Sequence, residues 1–179
     1  MTSRVFLTGR PGIGKTTVLL RVVDLLRAGG LRVGGMVSRE VREKGVRIGF
    51  EILDLGSGRR GWLAHVDQPV GPRVGRYRVN MQDLEGVGVE AIRRAVREAD
   101  AIAIDEIGPM ELHSKAFVEA VREAIRSRKP LIATIHYKAR HPLLNEVRNM
   151  KNKEIITVTL ENRERLPEII AERLLREKP

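Results

Sequence analysis

Apolar and polar positions follow two rhythms along this chain, and the switch between them outlines a fold. Arg4–Thr8 (RVFLT) is a short apolar run that predicts a strand, and a glycine-rich loop follows it. From Lys15 to Ala28 the apolar residues Val18, Leu19, Val22, Leu25 and Leu26 recur at helical spacing, and Gly29-Gly30 ends that helix. Leu31–Ser38 (LRVGGMVS) predicts a second strand. From Glu40 to Val79 the texture changes: Gly and Arg punctuate short pieces such as VRIGFEILDL, GWLAHV and GRYRV. Val46, Ile48, Phe50, Ile52 and Leu53 nearly alternate with other residues there, which predicts antiparallel strands joined by tight turns.

The helix–strand rhythm then resumes. Val89–Ala99 predicts a helix, Ala101–Asp105 (AIAID) a buried strand, and Glu111–Arg128 a long helix. Leu131–His136 (LIATIH) predicts a strand, Leu143–Met150 a short helix, Ile155–Leu160 a last strand and Leu166–Glu177 a last helix. Strands alternating with helices imply a mostly parallel sheet covered on both faces. The expected architecture is α/β: a single domain over residues 1–179, with an antiparallel insertion over 40–80 folded against its sheet.

Composition narrows the class. Hydrophobic residues make up 42% and charged residues 31% of 179, a globular balance. No apolar run approaches the roughly 18 residues of a membrane span, and Gly and Pro interrupt the N-terminus where a signal peptide needs an apolar stretch. A cytoplasmic protein without a membrane partner is expected. There are no cysteines, which excludes disulfides, thiolate chemistry and Cys-ligated zinc. Asn (5) and Gln (2) are scarce, as in proteins of hot environments. The net charge of +10, from 25 Arg and 8 Lys against 23 acids, can attract polyphosphate or nucleic acid. No long basic run or aromatic–basic RNA motif stands out, so nucleic acid is a possible but not favoured partner. A monomer or weak oligomer is expected.

The chemistry lies in three places. Gly9-Arg10-Pro11-Gly12-Ile13-Gly14-Lys15-Thr16 fits GxxxxGK[ST] at every fixed position, between a predicted strand and a predicted helix. Its glycines let the backbone N–H groups close around phosphate oxygens, Lys15 reaches the β- and γ-phosphates, and the Thr16 hydroxyl ligates Mg²⁺; Thr17 completes the nucleotide-binding loop. Ala101–Asp105 delivers Asp105 at the carboxyl end of an apolar strand, where it would join Thr16 as a Mg²⁺ ligand. Glu106, directly after it, can take the proton of the water that attacks the γ-phosphate, a hydrolase device that a kinase must avoid. The strand Leu131–His136 ends in Thr134 and His136, and His136 is the candidate for touching the γ-phosphate or the water. Arg59, Arg60, Arg73, Arg76 and Arg78 of the insertion are candidates for stabilising charge on that phosphate. Trp62 and Tyr77 are expected in the core rather than stacked on a base.

With these residues placed, the chain resembles the thermostable nucleoside-triphosphatase family of P-loop proteins, whose animal relatives are called cancer-related nucleoside-triphosphatases. The resemblance rests on TGRPGIGKTT at 8–17, GGMVSREVRE at 34–43, GRYRV at 75–79, AIDEIGPMEL at 103–112, IATIH at 132–136 and ENRERLP at 161–167. It implies a RecA-like three-layer core and Mg²⁺-dependent hydrolysis of several nucleoside triphosphates with weak base preference. It also implies that Gly9–Thr16 holds phosphate, that Asp105 and Glu106 are the Mg²⁺ and catalytic acids, and that residues 101–108 line the site. Many relatives are expected to carry a longer polar residue such as Lys at position 109, where this chain has Pro109, so no catalytic role passes to that position. The expected function is hydrolysis of nucleoside triphosphates to diphosphate and phosphate. Its rivals are a nucleoside or nucleotide kinase and a nucleic-acid-stimulated ATPase.

Overall fold

Two families of strand meet edge to edge in one nine-stranded sheet. A computed structural model describes residues 3–177. The strands are β1 (Arg4–Thr8), β2 (Val33–Glu43), β3 (Val46–Asp54), β4 (Arg60–His65), β5 (Arg73–Val74), β6 (Tyr77–Val79), β7 (Ala101–Ile107), β8 (Leu131–Ile135) and β9 (Glu154–Thr157). Their order across the sheet is β5-β6-β4-β3-β2-β7-β8-β1-β9. From β2 to β9 every pairing is parallel; from β2 out to β5 every pairing is antiparallel. β8 therefore lies between the strand that leads into the phosphate loop and the strand that carries Asp105, as the RecA-like expectation requires.

The helices are α1 (Lys15–Ala28), α2 (Met81–Asp83), α3 (Glu90–Glu98), α4 (Lys115–Arg126), α5 (Pro142–Asn149) and α6 (Leu166–Leu175). Val18, Leu19, Val22 and Leu26 of α1 pack with Ile170 and Leu174 of α6 on one face, over Leu7, Ala103 and Ile132. Ile92, Phe117, Val121 and Leu144 of α3, α4 and α5 cover the other, over Phe6, Ile102, Ile104 and Ala133. The inward alternation of the buried strands supplies both cores, as period-two side-chain direction demands. Among the described residues no helix is long and apolar enough to cross a membrane.

Three differences from the sequence expectation have local causes. The antiparallel insertion does not lie against the sheet but continues it, because β2 runs on to Glu43 and pairs with β3 from Met36–Asp54 out to Glu43–Val46. The helix expected from Val89 begins earlier, at Met81, where the Asn80 side chain accepts a hydrogen bond from Asp83 N at 2.9 Å; a π-helical turn, Leu84–Val89, carries it into α3. The long helix expected from Glu111 is a 3-10 turn, Glu111–His113, followed by α4, because Ser114 caps α4 by accepting from Phe117 N at 3.1 Å.

Candidate active site

The carboxyl ends of β1, β7 and β8 share one edge of the sheet, and the sequence-singled residues gather there. Gly9 leaves β1 at φ 141°, and a side chain at this position would sit 3.0 Å from Val158 O, so only glycine allows the loop to lie this close to the segment after β9. Gly14 caps α1 at φ 113°, outside the ordinary range of residues with a Cβ. Arg10, Pro11 and Gly12 form the exposed crest of the loop, Ile13 turns into the core, and Thr17 is exposed on the first turn of α1. The free N–H groups of that turn point out of the helix toward the loop. Lys15 is 8% exposed, and its ammonium donates to Gly9 O at 2.6 Å.

Asp105 is 2% exposed. It accepts from Thr134 Oγ1 at 2.5 Å and from Thr16 Oγ1 at 3.1 and 3.2 Å, so one carboxylate joins the tips of α1, β7 and β8. Burial pushes its pKa up to about 6; the Thr134 hydrogen bond works against burial, and the Glu106 charge adds to it. In β7 the pairing with β8 slips between Ile104 and Ile107, so Asp105 and Glu106 together face the single residue Thr134. The bulge breaks strand alternation and re-aims the side chains that follow; Ile107 accordingly joins the same core as Ile102 and Ile104. Glu106 is half-buried, its pKa raised by burial and drawn back by the Lys15 charge. His136 lies just past β8 and is also half-buried, with its backbone N–H bonded to Ile107 O at 3.1 Å and Nδ1 accepting from Lys138 N at 3.2 Å. Burial and then the Lys15 and Lys138 charges lower its pKa, which favours the neutral imidazole and places the ring within the field of Lys15.

A family model described as NTPase matches residues 4–171. The chain is 51% identical over 166 residues to the nucleoside-triphosphatase THEP1 of Thermofilum pendens, covering 92% of this chain and 91% of that relative. Its fold superposes on the crystal structure of THEP1 from the hyperthermophile Aquifex aeolicus with a TM-score of 0.84 at 35% identity, covering 96% and 98% of the two chains. The solution structure of a human cancer-related nucleoside triphosphatase matches with a TM-score of 0.82 at 35% identity, over 99% and 100%. The chain belongs to the nucleoside-triphosphatase family.

Within that family frame, the insertion arginines are not at the site. Arg60, directly after Arg59, pairs with Leu53, which pairs with Val37 and so lies level with Asp105 but three strands from it, about 14 Å at ordinary strand spacing, and its guanidinium donates to Glu51 at 2.8 Å. Arg73, Arg76 and Arg78 belong to the β5–β6 corner, separated from β7 by β4, β3 and β2, about 20 Å at ordinary strand spacing. Arg78 holds Gly71 O at 3.0 Å, and Arg76 and Arg47 flank the ring of Tyr77. Tyr77 is buried against Phe50, in the core as expected; Trp62 is half-buried, edge-on to His65. Pro109 is exposed.

Two residues at the edge escaped the sequence reading. Arg163, in the loop before α6, donates to Ile13 O of the phosphate loop at 3.2 Å. Glu111 is 2% exposed and lies against Gly108 beside Glu106. Both fall inside segments that carry the family resemblance, ENRERLP and DEIGPMEL, yet neither has a motif position that announces a role. A cavity of about 300 Å³, lined by Arg27, Leu31, Leu55, Arg94 and Ala95 among others, opens at the opposite edge and takes no part in this arrangement.

Proposed function

We propose that this protein hydrolyses nucleoside 5′-triphosphates, ATP and GTP among them, to the diphosphate and phosphate with Mg²⁺. The observation that carries the proposal is the meeting of Lys15, Asp105 and Glu106 at one sheet edge, with Glu106 in the field of Lys15. The family relatives bear the name nucleoside-triphosphatase, which supports the same reading. The loop amides and Lys15 bind the phosphates; on binding, the Lys15 ammonium exchanges Gly9 O for phosphate oxygens. The residues fit Mg²⁺: a hydroxyl and a carboxylate converge at Thr16 and Asp105, hard oxygen donors that leave other positions for water and phosphate. When bound, the ion supplies positive charge at the β- and γ-phosphates. Glu106 accepts a proton from water as its oxygen bonds to the γ-phosphorus, and the bond from that phosphorus to the β-phosphate oxygen breaks. Its raised pKa makes it a better proton acceptor than an exposed carboxylate. His136, in its neutral form, would hydrogen-bond the γ-phosphate or that water. Several triphosphates should serve, and the enzyme should act as a monomer or weak oligomer in the cytoplasm.

The test is Glu106→Gln, which keeps size and removes the proton acceptor. Nucleotide affinity should hold while single-turnover phosphate release falls about 10²–10⁴-fold, with no phosphate acceptor added in either case. Wild-type release in the variant, or release by the native enzyme only when a nucleoside is supplied, sinks the proposal.

A further inference from the structure

Among the described residues Glu111 Oε2 is the one buried side-chain oxygen with no hydrogen-bond partner. Glu111 opens the 3-10 turn after β7 and is 2% exposed. An ionised carboxylate so enclosed is costly unless paired. Burial, with the Glu106 and Asp105 charges nearby, holds its pKa well above the carboxylate range, against weaker help from the backbone amides of Glu111 and Gly108. Such an enclosure favours the protonated acid, a hydrogen-bond donor in search of an acceptor.

Glu106 lies across the space over Gly108. A Cβ built on Gly108 would meet Glu106 Oε1 at 2.9 Å, Glu106 Cγ at 3.1 Å and Glu111 Oε2 at 3.1 Å. The unpartnered oxygen of Glu111 thus shares one gap with Glu106, and the gap exists because residue 108 has no side chain. The other polar groups nearby are committed. Asp105 is held by Thr16 and Thr134, and Ser114 by Glu85 and the α4 cap. No three His, Asp or Glu side chains among the described residues converge as metal ligands, so the trio of acids is not a second cation cage.

We propose that Glu111 is a positioning residue for hydrolysis: its carboxyl donates a hydrogen bond across the gap over Gly108 to Glu106 Oε1 and keeps Glu106 Oε2 turned toward the attacking water. The inference rests on the reading of Glu106 as the proton acceptor. Glu111 keeps its own proton throughout, and the proton of the water goes to Glu106.

The experiment compares Glu111→Gln, Glu111→Leu and Gly108→Ala in the full chain, with kcat, KM and melting temperature measured for each. Gln retains an N–H donor and should hold kcat within about threefold. Leu removes the donor while taking a lone polar group out of the core, so it should fold normally, keep KM and lose about 10–100-fold in kcat, the scale of a misplaced reacting group. Ala at 108 intrudes on Glu106 Oε1 and should lower kcat in the same way. Combined with Glu106→Gln, the Leu change should cost nothing further, because the residue it positions is gone. A Leu variant with wild-type kcat, or a Gln variant as slow as Leu, overturns the inference. Should Leu fail to fold, Gly108→Ala with unaltered kcat overturns it equally. Glu106→Gln run alongside separates the two claims. If that variant is fast, the reading of Glu106 has failed; if it is slow while Glu111→Leu is fast, only the positioning role has.

Discussion

Asp54 and Asp105 lie in the same sheet, each 2% exposed, and their surroundings move them in opposite directions. Asp54 ends β3, two strands from β7 and in register, through Met36, with Ile104. It accepts from Gly56 N at 2.9 Å, Ser57 N at 3.2 Å and Arg94 Nη1 at 2.6 Å. Burial works against its charge, but the Ser57, Gly56 and Arg94 donors outweigh burial and its pKa falls below the usual range. Asp105, beside the phosphate loop, has two hydroxyls and a second acid for neighbours, and burial wins. The chain completes the first carboxylate by itself, so that residue serves the fold. It leaves the second short of positive charge, a deficit that a cation bound with nucleotide is suited to fill.

The largest expected effect sharpens this contrast at the active edge. Lys15→Ala and Asp105→Asn should each lower kcat/KM by about a hundredfold or more, the scale seen when a charge-stabilising group is removed. Without nucleotide the Asp105→Asn protein should melt no lower than wild type, since a buried like-charge contact with Glu106 has gone. Loss of several degrees there would make Asp105 a structural acid like Asp54 and break the comparison. Next in size is Arg94→Met, which leaves Asp54 buried with the Gly56 and Ser57 donors alone. It should cost about 1.5–3 kcal/mol of stability in urea titrations with hydrolysis unchanged; a drop in turnover would tie the Asp54 cluster to the chemistry.

The smallest effect is in the pH dependence of stability, followed by denaturant midpoint with chelator present and no nucleotide. Asp54 has a lowered folded pKa, so its contribution is whole above the unfolded value near about 4 and disappears as pH falls through the folded one. Asp105 has a raised one, so the folded state binds the proton more tightly: stability is greatest in acid and declines as pH rises from about 4 toward its folded value of about 6. Asp54→Asn should flatten the acid limb and Asp105→Asn the limb above it. The same flattened limb in both variants would erase the distinction.

What the sequence disclosed, and what it concealed, follows from the range over which each feature is encoded. The phosphate loop, β1, α1 and Asp105 are legible because each depends on residues within about one turn or strand of itself. The parallel order follows from the alternation of helices and strands. Glu111 was read as the first residue of a long amphipathic helix, because nothing local says that Ser114 begins the helix instead and sends the preceding turn under β7. Arg163 reaches Ile13 across 150 positions, a pairing no window of sequence contains. The insertion arginines looked suitable by type, but strand count alone carries them away from β7. Gly86 and Gly88 likewise hid the π-helical turn that the chain forms ahead of α3.

The pairing of β1 also has a consequence for the birth of the molecule. Its two sheet neighbours are β8, from Leu131, and β9, from Glu154, so the strand that leads into the phosphate loop has no partner until more than a hundred further residues have been made. At ordinary rates of synthesis the ribosome needs several seconds or more for that length. The hairpin β2–β3 can close almost at once by comparison, and β7 can add to it before β8 emerges. Segments distant in sequence close slowly. The motif translated first is therefore among the last parts of the protein to reach its final shape, and a nascent chain lacking its last fifty residues should not yet retain nucleotide.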